Sequence, residues 1–177
     1  AEAFDLLYKQ GKVRDFGVSN QNPMMMELLK KDVKQPLAVN QLQLSAAFTP
    51  GFESGFYVNM EDSQAAMRDG SIFEYCKLHD VVIQAWSVLQ FGYFKGNFVG
   101  NEKFQALNQV LDRLAIKYGV TSSTIAISWI LRYPAKMQAV VGTTNPKHLI
   151  EASQASNVNL TRKEWYEIYL AAGNDLP

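Results

Sequence analysis

Phe16-Gly17-Val18-Ser19-Asn20 and Ile83-Gln84-Ala85-Trp86-Ser87 decide the fold class. Each reads as a buried strand that delivers small polar residues to its carboxyl end. Barrel and open-sheet α/β proteins place their ligands at that end. Working outward, strand-length runs are expected at Val13 to Ser19, Ala38 to Ser45, Val81 to Ser87 and Gln138 to Thr143. Amphipathic helical segments separate them, as the crossover connections of a parallel sheet require. Four such strands in an open sheet would leave the Val13 and Gln138 runs as apolar edges, and closure with further strands would remove both.

The helices carry their own start and stop signals. Phe4, Leu7 and Tyr8 give the first residues a helical pattern with no capping residue before it, so the chain reads as starting inside a helix. Asn22-Pro23 opens the next, expected through Lys31, with Met25, Leu28 and Leu29 as its buried stripe and Met24 to Met26 as gap-filling core. A helix is expected at Ser71 to His79, and a longer one at Lys103 to Tyr118 on Phe104, Leu107, Leu111 and Leu114, ended by Gly119. Thr121 or Ser122 caps a segment apolar on most sides that Pro134 stops. Thr161-x-x-Glu164 is a capping box opening a last helix, with Trp165, Ile168, Tyr169 and Ala172 inward and Gly173 as terminator.

Seventeen basic residues balance seventeen acidic ones, so no basic face announces nucleic acid or an anionic membrane. A small molecule is the expected partner, and oligomeric state is left open. The 177 residues suit one domain, and the lone Cys76 cannot form an internal disulfide. With no apolar span of membrane length, a reducing, cytoplasmic setting is expected.

No phosphate-loop, dinucleotide, Cys-x-x-Cys, His-Glu-x-x-His or Gly-x-Ser-x-Gly motif occurs, and no metal site is expected. His79 and His148 lie on helical segments, and Cys76 reads as core rather than nucleophile. What remains is polar chemistry at strand ends: Ser19 and Asn20, then Asn40 and Gln41, then Trp86 and Ser87. Amide, hydroxyl and aromatic face are what a flat carboxamide-bearing ring needs. Ser19-Asn20 equally suits a helix-capping turn, and Trp86 equally suits plain core. Gly142-Thr143-Thr144-Asn145-Pro146-Lys147-His148 feeds a helix N-terminus, which would suit a phosphate or be an ordinary capped helix. Two irregular segments, Ala46 to Gly70 and Gly92 to Asn101, are long enough to wall a pocket or to be surface loops packed on themselves.

In order and spacing, Gly11-Lys12-Val13-Arg14-x-Phe16-Gly17-Val18-Ser19-Asn20, Asn40-Gln41, Gln84-Ala85-Trp86-Ser87-x-Leu89 and Val141-Gly142-Thr143-Thr144-Asn145-Pro146 resemble the second half of the aldo-keto reductases. The Asp80 to Ser87 stretch, Val58-Asn59-Met60 and Leu160 to Tyr166 look most like the YdhF-like branch. The resemblance implies a (β/α)8 TIM barrel of which residues 1 to 177 would be the carboxyl-terminal half, about the last four β/α units. It further implies NADP(H)-dependent reduction of a carbonyl compound, an aldehyde or a ketone. Carried over by motif, Ser19, Asn20 and Gln41 would hold the nicotinamide carboxamide and Trp86 would stack on its ring. Ser87 and Leu89 would meet the pyrophosphate; Thr143, Thr144 and His148 the adenosine 2′-phosphate; Glu151 the adenine. Val88 stands where relatives often have proline, and Gly142 where many place a lysine against the phosphate. The family's catalytic aspartate, tyrosine, lysine and histidine have no counterpart in these residues, so no catalytic residue is assigned and the chain alone is expected to be inactive. Tyr57, Tyr75 and Tyr93 do not stand in the tyrosine's context. The competing expectation is a non-enzymatic half-barrel that oligomerises or serves as a binding module.

Overall fold

The first strand, β1 (Phe16–Ser19), lies parallel to β2 (Leu37–Gln43) with Val18 opposite Asn40 and Ser19 opposite Gln41. Gly17 sits opposite Val39, where an added Cβ would lie 2.8 Å from the Val39 Cβ and carbonyl oxygen. Only a residue without a side chain allows the two backbones to approach this closely. The computed structural model describes residues 1 to 51, 53, 70 to 92 and 95 to 176. Val58-Asn59-Met60, Tyr57, Tyr93 and most of the Ala46 to Gly70 connection lie outside them.

The chain divides into two units, one of residues 1 to 42 and 50 to 84, the other of residues 43 to 49 and 85 to 177. The first holds α1 (Glu2–Lys9), β1, α2 (Pro23–Leu29), most of β2, α3 (Ile72–Leu78) and the start of β3 (Val82–Trp86). Strand order follows chain order, β1-β2-β3. Phe4 of α1 stacks on Phe16 at 4.4 Å. The Asn22 side chain accepts from the Met25 amide at 2.9 Å, so the expected cap forms. The stripe expected beneath it does not: Met25 and Leu28 are exposed, and Met26 is fully buried. Met26 is turned inward because its sulfur takes the Asn40 side-chain amide at 3.5 Å. Met24 is exposed as well, so of the three methionines only Met26 is core.

The second unit holds the end of β3, α4 (Gln105–Tyr118), α5 (Ser122–Leu131), β4 (Met137–Ala139), α6 (Pro146–Ser153) and α7 (Arg162–Ala171). A 3-10 turn, Glu102–Phe104, leads into α4, and another, Gln154–Asn157, follows α6. Leu107, Leu111 and Leu114 of α4 are buried, as their spacing predicts, and Gly119 ends the helix at φ +66°. Thr121 rather than Ser122 caps α5, whose residues 124 to 130 are all buried. Trp129 and Trp165 stack at 4.9 Å, and each indole N–H donates to the other's carbonyl at 3.0 Å. The Thr161–Glu164 capping box forms as read. The strands are shorter than the apolar runs, β4 most of all. Among the described residues no single helix is long and apolar enough to cross a membrane.

Candidate functional site

Polar residues expected to bind gather in two places, one in each unit. At the carboxyl ends of β1 and β2, the Asn20 amide donates to the Gln41 carbonyl at 3.0 Å and the Ser19 hydroxyl donates to the same oxygen at 3.1 Å. Ser19, Asn20 and Gln41 are thereby brought together, with Asn20 at φ +52°, a left-handed conformation asparagine tolerates. The Gln41 side chain donates to Gln84 Oε1 at 3.3 Å. Alternation along β2 turns the neighbouring Asn40 to the opposite, fully buried side. There its side chain donates to the Gln21 carbonyl at 2.8 Å and receives the Gln21 amide at 3.5 Å. Asn40 is therefore the tie that fixes the turn after β1.

In the second unit a cavity of about 650 Å3 opens at the end of β3, beside β4 and the start of α6. Trp86, Ser87, Leu89, Gly142, Thr143, His148 and Glu151 line it, seven of the eleven residues marked for binding. Thr144 is exposed and does not line it. Asn145 caps α6 through the Lys147 amide at 3.0 Å, and its own amide donates to the Thr143 hydroxyl at 3.1 Å. Thr143 is thus held at a helix N-terminus, the positive end of the helix. The Thr124 hydroxyl donates to the Glu151 carbonyl at 2.9 Å and fixes α6 against α5.

Ser87, at φ +53°, starts a tight turn in which its hydroxyl donates to Gln90 Oε1 at 3.2 Å and the Gln90 amide donates back to its carbonyl at 2.8 Å. The Ser45 hydroxyl donates to the Gln90 carbonyl at 2.6 Å, and Gln90 forms an isolated antiparallel bridge with Asn97. Gln90, Asn97, Val99, Ser123, Ile127 and Ala152 complete the lining with Val88, Val140 and Val141. Asn97 and Val99 belong to the Gly92 to Asn101 segment that the sequence offered as a pocket wall, whereas Gln90, Ser123, Ile127 and Ala152 carry no mark as site residues in the sequence. Asn108 of α4 holds that segment in place, its amide donating to the Phe98, Asn101 and Phe104 carbonyls at 2.9 to 3.1 Å.

Other titratable groups are engaged elsewhere. Cys76 is fully buried, and burial pushes its thiol up to about 11, which makes it core rather than nucleophile. The Tyr75 hydroxyl receives the Lys30 ammonium at 2.7 Å and donates to Glu27. Burial, and the bond to Glu27, raise its pKa. His79 packs its ring 4.4 Å from Tyr75.

A model of the aldo/keto reductase family matches residues 1–171. The 6-dehydroglucose reductase of Agrobacterium fabrum is 30% identical over 177 residues, covering 99% of this chain and 52% of that protein. Oxidoreductase YdhF of Escherichia coli is 30% identical over 179 residues, covering all of this chain and 53% of that protein. An aldo-keto reductase of Klebsiella pneumoniae, solved in complex with NADPH, superposes with a TM-score of 0.70 at 21% identity over 94% of this chain and 51% of its own. The chain spans about half the length of the curated relatives it matches.

Proposed function

Given that the chain belongs to the aldo/keto reductase family and carries about half of its (β/α)8 barrel, we propose that it is the cofactor-holding, carboxyl-terminal half of one NADP(H)-dependent domain that reduces an aldehyde or ketone to an alcohol. A single observation carries this reading. One cavity is lined by Trp86 to Leu89, by Gly142 and Thr143, and by His148 and Glu151, positions that the family resemblance had marked. Its volume falls in the range of small-molecule sites, and its lining mixes apolar walls with a few placed polar groups.

The donor set suits a dinucleotide. Ser87 and Ser123 offer hydroxyls, Leu89, Ile127 and Val140 offer apolar surface, and Thr143 sits at the N-terminus of α6. Trp86 would stack on the nicotinamide ring, and Ser19, Asn20 and Gln41 would hold its carboxamide. Ser87 and Leu89 would meet the pyrophosphate, Thr143, Thr144 and His148 the 2′-phosphate, and Glu151 the adenine. The bound cofactor supplies hydride to the carbonyl carbon. This chain's residues bind and orient. The group that donates a proton to the carbonyl oxygen has no counterpart among them, so we assign it to sequence outside these 177 residues, and the chain alone would bind without turnover. The lone Cys76, which has no second cysteine to pair with, supports a cytoplasmic setting.

Calorimetric titration of the folded chain with NADPH tests the reading. Saturable one-to-one binding with no carbonyl-dependent NADPH oxidation is the expected pair of results. A folded chain that takes up no NADPH at millimolar concentration overturns it.

A further inference from the structure

Alternation along the neighbouring strands β2 and β3 brings Gln41 and Gln84 to one face of the sheet, away from the fully buried Asn40, Ile83 and Ala85. There the Gln41 side-chain amide donates from Nε2 to Gln84 Oε1 at 3.3 Å. The sequence marked Gln41 for the nicotinamide carboxamide and gave Gln84 no role. Resting on the cofactor reading above, we propose that Gln84 is a positioning residue: by holding the Nε2 end of Gln41 it turns the Oε1 end toward the nicotinamide, so that the site accepts a hydrogen bond from the cofactor's primary amide and selects that amide over a group without N–H.

The main chain of Gln41 is already fixed, which leaves its side chain as the part that must be held. Its carbonyl oxygen takes the Asn20 amide at 3.0 Å and the Ser19 hydroxyl at 3.1 Å, both from β1. The side chain, by contrast, has three rotatable bonds and a terminal amide whose two ends differ in chemistry, so turning it end for end swaps an acceptor for a donor. Gln84 removes that freedom from the β3 side. Among the described residues the Gln41 side chain makes one hydrogen bond, the one to Gln84, and makes it through Nε2. Oε1 is therefore the end left for a ligand. Ser19, Asn20, Gln41 and Gln84 all belong to the first unit, so the arrangement lies within it.

The chemistry of the ligand suits a fixed acceptor. A carboxamide presents one carbonyl oxygen and an N–H2 group with two donors. A pyridine bearing an acetyl group in its place keeps the oxygen and loses both donors. Facing a fixed Oε1, it leaves that oxygen unpaired, and an unmet hydrogen-bonding group costs more than a formed bond contributes. Facing a Gln41 free to turn, the acetyl oxygen receives Nε2 instead. A held glutamine discriminates and a free one does not.

The test measures binding of NADP+ and of its 3-acetylpyridine analogue, which differ only in N–H2 against CH3, by calorimetric titration of the chain. A preference for NADP+ of about tenfold is expected in the unaltered chain. Gln84→Met keeps the length and removes the acceptor, and should bring the two affinities within about twofold. Gln84→Glu keeps an acceptor for Nε2 and should retain a preference of about tenfold. Each preference is a ratio read on one preparation, so a loss of folded protein lowers both bindings alike and leaves the ratio where it was. A preference that survives undiminished in Gln84→Met overturns the proposal. Its loss in Gln84→Glu as well as in Gln84→Met would mean that any change at this position disturbs the site, and overturns a role through the accepted bond. Equal binding of both nucleotides by the unaltered chain overturns this proposal alone, whereas binding of neither overturns the cofactor reading and this proposal with it.

Discussion

Gly17 and Val39 stand so close across the β1–β2 pair that a methyl group on the glycine would lie 2.8 Å from both the Cβ and the carbonyl oxygen of Val39. Neither atom is the end of a flexible side chain, so the strands themselves must part. Gly17→Ala is expected to lower unfolding free energy by about 1–3 kcal/mol, the usual cost of overpacking. The Ser19 and Asn20 bonds to the Gln41 carbonyl would be disturbed along with it. Urea midpoints of the two proteins check this, and equal midpoints would show that the register tolerates a side chain.

Why Gly17 had to be glycine could not be read from the chain, because its partner lies 22 positions away. What was legible was local chemistry. Caps formed at Asn22, Thr121 and Thr161, since a capping side chain meets an amide only two or three residues on. Leu107, Leu111 and Leu114 were legible because a helix of four turns repeats its buried phase often enough to fix it. The two-turn α2 does not, and Met26 replaced Met25 and Leu28 in the core because Asn40 reaches it from β2. Of the site, the residues that stand in motif positions were found. Gln90, Asn97 and Ser123 line the cavity through a turn, an isolated bridge and a helix start, none of which leaves a periodic trace. The Trp129–Trp165 exchange, 36 residues apart, is equally silent in sequence.

Asn40 gives a second prediction. Its side chain is fully buried and satisfies both backbone groups of Gln21, so Asn40→Ala leaves a carbonyl and an amide without that partner. A loss of about 2 kcal/mol is expected, the size of a buried hydrogen-bonded group removed. Amide exchange at Asn20 and Gln21 should quicken more than exchange in α4. A uniform change across all amides would mean that Asn40 acts on global stability and not on the turn.

Glu164 makes stability depend on pH. Burial alone would raise its pKa, but hydrogen bonds from Lys117 at 2.5 Å, the Thr161 amide and hydroxyl, and Tyr118 outweigh it and lower the carboxyl from 4.5 to about 2. Lys117 is correspondingly raised, chiefly by the same bond. A carboxyl whose folded pKa is depressed contributes stability that is fully present above its unfolded value and is lost as pH falls toward the folded one. The window therefore runs from about pH 5 down to about pH 2, and the contribution is on the order of 3 kcal/mol. Glu164→Gln should flatten the denaturation midpoint across this window and lower it at pH 7. A midpoint that still falls as steeply in the variant assigns the acid sensitivity to other groups.

Trp86 separates ligand contact from ordinary core. Of the three tryptophans, Trp129 and Trp165 are buried against each other, whereas Trp86 is half-buried and lines the cavity. If NADPH sits there, indole emission at 86 transfers to the reduced nicotinamide, while that of the stacked pair is affected less. Trp86→Phe keeps an aromatic face and should bind NADPH within about fivefold of the unaltered chain, a difference of about 1 kcal/mol or less. It should nevertheless lose most of the ligand-dependent quenching. Trp129→Phe should retain the quenching and lower stability, since the Trp165 carbonyl loses its indole donor. Full quenching in Trp86→Phe, with affinity unchanged, would place the nicotinamide away from this wall and leave Trp86 a packing residue.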